Sequence, residues 1–135
     1  MEVQFQREAV IQNEDGYTVR RLYPWRGRVE SPWGSAWIVI QAGMYSTPHW
    51  HDEEETFLIL SGTGEMVVDG ETKRVTKGDV IYLPRFSTHT LKNSDAKEDL
   101  EMLCIWWGGN ERTVNNNVSF EQALSPPDKS TARSD

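Results

Sequence analysis

The sequence predicts an all-β domain in which many short strands form a sandwich or a barrel. Turn signals recur about every 8–12 residues, as they do in antiparallel sandwiches and barrels. Asp69-Gly70 separates two strand-like segments, which is typical of a tight hairpin. No long stretch shows the spacing of apolar residues that an amphipathic helix needs. These three observations favour a fold without long helices.

The expected strands follow one another along the chain and are separated by turn residues. Each is rich in β-branched, aromatic or other apolar side chains, except for the segment HTLKN, which alternates weakly. A turn at Lys77-Gly78-Asp79 leads into the strand that ends at Pro84. In chain order, the expected strand segments are 35–41, 55–62, two within 64–84 on either side of Asp69-Gly70, 89–93 and 99–107.

The length of 135 residues fits one domain. We expect residues 1–120 to form this domain, with an N-terminal strand arm. We expect residues 121–135 to be a disordered tail or a linker, because SPPDKSTARSD is polar, contains two prolines and lacks periodicity.

The composition excludes several classes of function. A net charge of −7 argues against nucleic-acid binding, and the basic cluster RRLYPWRGR (20–28) is interrupted by apolar residues, so we interpret it as a solvated edge. No run approaches the roughly 18 apolar residues of a membrane helix, and the first residues do not form a secretory signal. Cys104 is the only cysteine, which excludes an internal disulfide and favours a cytoplasmic location. In its apolar strand, we expect it to be a small buried hydrophobe.

Tryptophan is frequent for a chain of this size, with six residues. Five of them lie in or beside strand-like segments, where they can line a core, a pocket or a dimer interface. These are Trp33, Trp37, Trp50, Trp106 and Trp107.

Two of the three histidines, His49 and His51, are separated by a single residue. On a strand, residues i and i+2 point to the same face, with Cα atoms roughly 6.6 Å apart. Two imidazoles at this spacing can converge on one metal ion. Glu55 opens the next strand and could return a carboxylate as a further ligand. If the sheet closes into a barrel, His89 would lie across from the pair, and all three histidines would serve one site.

Two sequence motifs make this interpretation specific. The first runs from Gly43 through five residues to His49-Trp50-His51, then three residues to Glu55, then six to Gly62. The second runs from Gly78 through five residues to Pro84-Arg85-Phe86, then two residues to His89, then three to Asn93. Both resemble the motifs of the cupin superfamily with every spacing kept. The one departure is Phe86, where the family usually has glycine, and this puts the shape of the turn in question.

The resemblance implies a single-domain cupin, a double-stranded β-helix or jelly-roll barrel. It also implies that His49, His51, Glu55 and His89 hold one divalent metal ion. Mixed nitrogen and oxygen ligation suits Fe, Mn, Ni or Zn. As catalytic candidates we take Glu55, Tyr82 and Arg85. Tyr82, Arg85, Phe86 and Trp107 could face a substrate, but core or rim positions are equally compatible with the sequence.

Three functions remain open. A redox metal would support oxygenation by a dioxygenase, whereas zinc would act as a Lewis acid in isomerisation, rearrangement or elimination. The third is a non-catalytic cupin that binds a metal or a small molecule. We favour a metal-dependent enzyme that acts on a small polar metabolite.

A finer resemblance favours zinc. The segments ETFLILSGTGEMVVDG, GDVIYLPRFSTHTLKN and LEMLCIWWGG are similar to the cupin domain of hydrazine synthetases. In that family a zinc-binding cupin, paired with a methionyl-tRNA-synthetase-like domain, performs the rearrangement that forms an N–N bond in natural-product biosynthesis. The resemblance therefore implies such a partner domain, although nothing in this chain resembles a nucleotide-binding motif.

We also expect a homodimer, because cupins commonly pair through their outer sheets. Leu58 and Leu60 alternate with Phe57 and Ile59, so both faces of this strand are apolar. One face can fill the barrel while the other packs against a second copy.

Overall fold

The computed structural model describes residues 1–109 and 116–127, and these form an antiparallel barrel of nine strands. A single 3-10 turn, Gln6–Glu8, precedes the strands, and a short helix follows them in the described part of the chain. The elements are β1 (Gln12–Asn13), β2 (Tyr17–Tyr23), β3 (Trp33–Ile40), β4 (Glu54–Ser61), β5 (Thr63–Val68), β6 (Glu71–Thr76), β7 (Val80–Leu83), β8 (His89–Asn93), β9 (Leu100–Trp107) and α1 (Phe120–Leu124).

Two sheets enclose the interior. The six-stranded sheet has the order β1-β2-β3-β9-β4-β7, and the three-stranded sheet has the order β6-β5-β8. Every pairing is antiparallel. The all-β jelly-roll fold expected from the sequence is therefore confirmed.

The hairpin between β5 and β6 turns at Asp69-Gly70, as the sequence predicts. Both residues have positive φ angles, 47° for Asp69 and 82° for Gly70, as a tight primed turn requires. Asp69 also accepts a hydrogen bond on Oδ1 from the Thr88 backbone N–H (2.9 Å), and its own N–H donates to Thr88 O. The hairpin tip thereby holds the residue next to His89.

Alternation along the strands separates an inner from an outer face. On β4, Glu55, Phe57 and Ile59 are buried, whereas Leu58 and Leu60 face outward and are only partly buried. The inner faces of both sheets meet in one apolar core. Its buried members are Ala36, Ile40, Phe57, Ile59, Met66, Val75, Leu83, Leu91, Leu100, Met102 and Cys104. Cys104 is thus a buried hydrophobe, as expected.

The basic cluster 20–28 begins in β2, and Arg21, Arg26 and Arg28 are exposed to solvent, which agrees with its interpretation as a solvated edge. Arg20 lies opposite Trp37 on the outer face, whereas Arg21 lies opposite buried Ala36 on the inner face. A bulge between Arg21 and Tyr23 then shifts the register, so Tyr23 lies against Trp33 with ring centroids 4.8 Å apart.

The segment expected to be a disordered tail or linker, 121–135, begins inside a helix. Ser119 caps α1 by accepting from the Gln122 N–H, while the Gln122 side chain accepts from the Ser119 N–H. Ala123 is buried, which fixes the helix to the barrel. Residues 128–135 lie outside the described residues. No helix in the described part of the chain is long and apolar enough to span a membrane.

Candidate metal centre

The three histidines meet where the segment before β4 crosses β8. His49 and His89 form an isolated antiparallel bridge, with His49 N–H donating to His89 O (3.2 Å) and His89 N–H donating to His49 O (2.9 Å). Ring centroids lie 4.7 Å apart for His49 and His89, 5.0 Å for His51 and His89, and 5.4 Å for His49 and His51. The convergence expected from the sequence is present.

Each imidazole is oriented by a backbone carbonyl two residues away. Nδ1 of His49 donates to Thr47 O (2.7 Å), Nδ1 of His51 to Glu53 O (3.0 Å), and Nδ1 of His89 to Ser87 O (3.0 Å). A carbonyl oxygen can only accept, so Nδ1 carries a proton in all three rings. In the neutral ring, Nε2 is then left with a free lone pair, which is the form that binds a metal.

One ring nitrogen of each histidine lies within 4.8 Å of the other two. Nε2 of His89 is fully buried and has no hydrogen-bond partner among the described residues. An unsatisfied buried acceptor is costly, so its presence points to a partner that binds there. A divalent cation satisfies all three nitrogens at once, and the residues present therefore fit the metal that the fold implies.

Glu55 lies beside the histidines at the inner face of β4. Its Oε2 is 2.7 Å from Nε2 of His51 and 3.9 Å from Nε2 of His89. Glu55 is 7% exposed, so the contact is largely shielded from water. The carboxylate thus lies beside two of the three histidines, whereas the mutually close ligand atoms found among the described residues are those of the three imidazoles.

The three histidines differ in their affinity for a proton. Burial lowers the pKa of His49, against the opposing effect of its hydrogen bond to Thr47. Burial and the neighbouring His49 and His51 hold the pKa of His89 well below its usual range. Burial also acts to lower the pKa of His51, but the hydrogen bond to Glu55 and its charge outweigh burial, so the pKa is raised. His51, beside the Glu55 carboxylate, is therefore the histidine of the cluster that takes up a proton most readily.

Phe86 takes the position where glycine is usual, and the turn keeps a left-handed backbone. Its φ is +65°, a conformation that strains a residue with a side chain. Its N–H donates to His51 O (2.7 Å), which links the second motif to the first. The ring lies 6.3 Å from that of Trp50. Phe86 thus holds a backbone conformation that glycine would adopt without strain.

Arg85 pairs with Asp52. Nε donates to Asp52 O (3.0 Å) and to Asp52 Oδ1 (2.9 Å), and Nη2 also donates to Oδ1. This pair ties the turn after β7 to the loop that follows His51. The structure therefore gives Arg85 a positioning contact rather than a place in the histidine cluster.

Tyr82 does not join the cluster. It lies opposite Thr56 on the outer face of the sheet, one residue out of phase with Leu83, which lies opposite Glu55. It is 55% exposed and donates to Glu54 Oε1 (2.5 Å). Trp107 lies on the same outer face and donates to Glu54 Oε2 (3.0 Å). Glu54 and Glu55 thus lie on opposite faces of β4, and Tyr82 and Trp107 share the outer face with Glu54, away from the histidines.

Trp106, one of the tryptophans that the sequence analysis placed in a core, a pocket or an interface, lies on the inner face, and the exposed Arg21, which the sequence did not single out, lies at the edge of that face. Trp106 pairs with Glu55 on one side and Gly34 on the other. The guanidinium of Arg21 lies over the Trp106 ring, 5.3 Å from its centroid. Between them and Phe57, Cys104 donates weakly to Ala36 O (3.5 Å), and burial strongly raises its pKa. Had β2 been predicted, strand alternation could have placed Arg21 on the same face of the sheet as Ala36.

Comparison with known sequences gives a consistent assignment. The family described as "Cupin domain" matches residues 36–106. An uncharacterized protein of Methanocaldococcus jannaschii is 34% identical over 95 residues, which cover 67% of this chain and 73% of that protein. An uncharacterized protein of Aquifex aeolicus is 38% identical over 48 residues. That match covers 35% of this chain, which spans only 40% of the Aquifex protein.

Comparison with solved structures supports the same family assignment. A cupin 2 conserved barrel domain protein from Salinispora arenicola is 31% identical and superposes with a TM-score of 0.70, covering 80% of this chain and 89% of that one. The polyketide cyclase RemF from Streptomyces resistomycificus has a TM-score of 0.73 at 18% identity, covering 92% and 89%. At that identity the second likeness shows the fold alone.

Proposed function

Because the chain belongs to the cupin family, we propose that it is a metal-dependent enzyme acting on a small polar metabolite. We assign His49, His51, Glu55 and His89 as the ligands of one divalent ion. The observation that carries this proposal is the buried, unpartnered Nε2 of His89, which lies among two further ring nitrogens and one carboxylate. Such a group is stable in a folded protein if a cation occupies the position that it faces.

A bound divalent ion would supply Lewis acidity, polarising an oxygen of the substrate. The protein itself contributes the other elements of the site. Backbone carbonyls fix the three imidazoles, and the apolar core beneath them excludes water. In the metal-free protein His51 and Glu55 share a hydrogen bond, and metal loading requires release of its proton, since a ligating imidazole is neutral.

We propose zinc as the metal and a non-redox rearrangement as the reaction. The finer form of this proposal is the N–N bond-forming rearrangement of the hydrazine synthetase type, with a methionyl-tRNA-synthetase-like partner domain. It rests on the three sequence segments described above, and the sequence and structural comparisons support only the cupin family.

Oxygenation is the second candidate function. The donor set of three imidazoles and one carboxylate favours it, since Fe, Mn and Ni accept the same ligands as zinc. A reaction of this class would consume dioxygen, whereas the rearrangement would not.

Elemental analysis of protein purified without chelators is the decisive first experiment. Near-stoichiometric zinc supports the rearrangement, to be followed by a test with esters of N-hydroxylated amines. Stoichiometric iron, manganese or nickel favours oxygenation, which oxygen uptake with candidate substrates then checks. Protein that binds no metal after reconstitution would contradict the enzyme proposal. Metal and ligand binding without turnover would favour a binding module.

A further inference from the structure

A cavity outside the metal centre opens along β2, and its lining is basic. Its volume is about 460 Å³, and it lies between the N-terminal arm and β2. Three arginines line it, Arg20, Arg21 and Arg26, against the single carboxylate of Glu8. In a chain with a net charge of −7, such a concentration of cations is a local exception. A concave site lined by one sign of charge attracts a ligand of the opposite sign.

Arg21 is exposed and lines this cavity, and its guanidinium also lies over Trp106 on the inner face of the barrel. On the inner face of the six-stranded sheet, Arg21 is the one cation and Glu55 the one carboxylate. Trp106 lies between them, opposite Glu55 in the register and beneath the Arg21 guanidinium. A ligand that bridges the two regions would therefore lie along the indole, with one end at Arg21 and the other towards the histidines.

The guanidinium of Arg21 is available for such a contact. The described residues give it no hydrogen bond or ion pair, and its contact is the ring of Trp106. Arg20, in contrast, donates to Gln6 Oε1 and to Gln4 O, and these contacts hold the N-terminal arm. An arginine resting on an aromatic ring keeps its donors free for a planar oxyanion, which it binds in a bidentate manner.

We propose that the substrate of this enzyme is an organic anion, and that Arg21 binds its carboxylate at the entrance while the remainder reaches the metal centre. This inference rests on the proposed function, because it names the class of substrate for the same site. Arg21 is then a specificity-determining residue. A second, balanced cavity provides the matched control, since it is lined by Lys73 and Arg74 together with Glu71 and Asp79.

The test uses benzoate and benzamide, which have nearly the same shape and differ in charge. Binding is measured by calorimetry and tryptophan fluorescence on the full chain, both metal-free and loaded with zinc. We expect benzoate to bind at least tenfold more tightly than benzamide. Arg21→Met should remove at least tenfold of the benzoate affinity, Arg21→Lys should restore part of it, and Arg74→Met should leave it unchanged. Inorganic phosphate, as a third probe, separates a general oxyanion site from one that prefers carboxylates.

Equal affinity for benzoate and benzamide, no binding of either, tighter binding of phosphate than of benzoate, or an equal loss in Arg74→Met would overturn the inference. Thermal unfolding and zinc content of Arg21→Met, both expected to match the wild type, show that the loss is local. If zinc fails to bind but benzoate discrimination depends on Arg21, the proposed metal function fails and the anion site stands. If zinc binds and benzoate does not, the proposed anion site fails and the proposed metal function stands.

Discussion

Gly34 lies directly against the indole of Trp106, and there is no room for a side chain between them. A Cβ at residue 34 would stand 2.2 Å from Cε2 and 2.3 Å from Nε1 of Trp106. The glycine lets the tryptophan lie flat on β3, where it forms the wall opposite Glu55. The position of this wall therefore depends on the absence of one methyl group on the neighbouring strand.

We expect Gly34→Ala to destabilise the protein by roughly 1–3 kcal/mol, because the indole must move within a packed core. Urea unfolding measures the loss. In a Trp106→Phe background the same substitution should cost less, since the phenyl ring is smaller than the indole. Strictly additive costs for the two substitutions would show that the contact does not limit the packing.

Substitution of the proposed ligands should reduce metal affinity, and more for the histidines than for Glu55. Loss of an outer partner of a metal ligand typically costs 10–100-fold in affinity, so His49→Ala or His89→Ala should cost at least about 100-fold. Glu55→Gln should weaken binding less, because the amide oxygen can still coordinate. Glu54→Gln, one residue away on the outer face, is the control and should bind metal normally. Circular dichroism verifies the fold, and full metal occupancy in all three site variants would show that the ligand assignment is wrong.

The metal-free protein should lose stability as the pH falls below about 6.5, the usual pKa of histidine. Because the pKa values of His49 and His89 are lowered by folding, the unfolded chain takes up protons there that the folded chain does not. His51 acts oppositely: its pKa is raised, so its contribution is present below about 6.5 and is lost as the pH rises through the folded value. The strong lowering of the His89 pKa should make the net effect a loss of stability at low pH. Urea unfolding with a chelator at three pH values checks this. His89→Gln should show a weaker pH dependence than wild type, and an equal dependence would contradict the assignment.

Phe86 allows backbone strain to be measured at one position. A left-handed backbone costs a residue with a Cβ roughly 1–2 kcal/mol, whereas glycine adopts it freely. Phe86→Gly should therefore be more stable than Phe86→Ala by about 1 kcal/mol, which reverses the usual order of the two residues. Both variants lose the ring contact with Trp50, so their difference isolates the backbone. An alanine variant as stable as the glycine variant would show that the turn relaxes to a negative φ.

The outer face of the six-stranded sheet should mediate a homodimer. Trp33 and Trp37 of β3 are 39% and 37% exposed on this face. Ile105 and Trp107 lie beside them on the same face of the neighbouring strand β9. Apolar surface of this kind is typical of an interface between subunits. Light scattering at micromolar concentration should give a dimer for the wild type and a monomer for Ile105→Arg. Val10→Arg, on the exposed N-terminal arm, should stay dimeric. A monomeric wild-type protein would refute the prediction.

The sequence predicted the strands from β3 to β9 and the three histidines, because each depends on local patterns. Alternation marks a strand, Asp69-Gly70 marks its turn, and the spacing of His49 and His51 follows from the period of two. The placement of Tyr82 was missed because it depends on register. Opposite Glu55, the strand presents Leu83, which turns the preceding tyrosine outward.

The helix α1 and the placement of Arg21 on the same face as Ala36 were missed for other reasons. A helix of five residues carries no periodicity, and its stability comes from the cap at Ser119 and the burial of Ala123. Arg21 lies between Arg20 and Leu22 in a segment whose basic character suggested a solvent-exposed edge. Only the pairing of β2 with β3 reveals that Arg21, although exposed, lies on the same face of the sheet as Ala36.

The carbonyls of Thr47, Glu53 and Ser87 restrict the three imidazoles during folding, so the rings lose their rotational entropy before any metal ion binds. Because each holds an imidazole by Nδ1, rotation of the three rings is already restricted once the chain has folded. Ion capture then requires little further ordering of the protein, and its entropy should be dominated by the release of water from the cation. The rate of metal uptake should accordingly follow the rate at which the ion exchanges water, as in a rigid chelator.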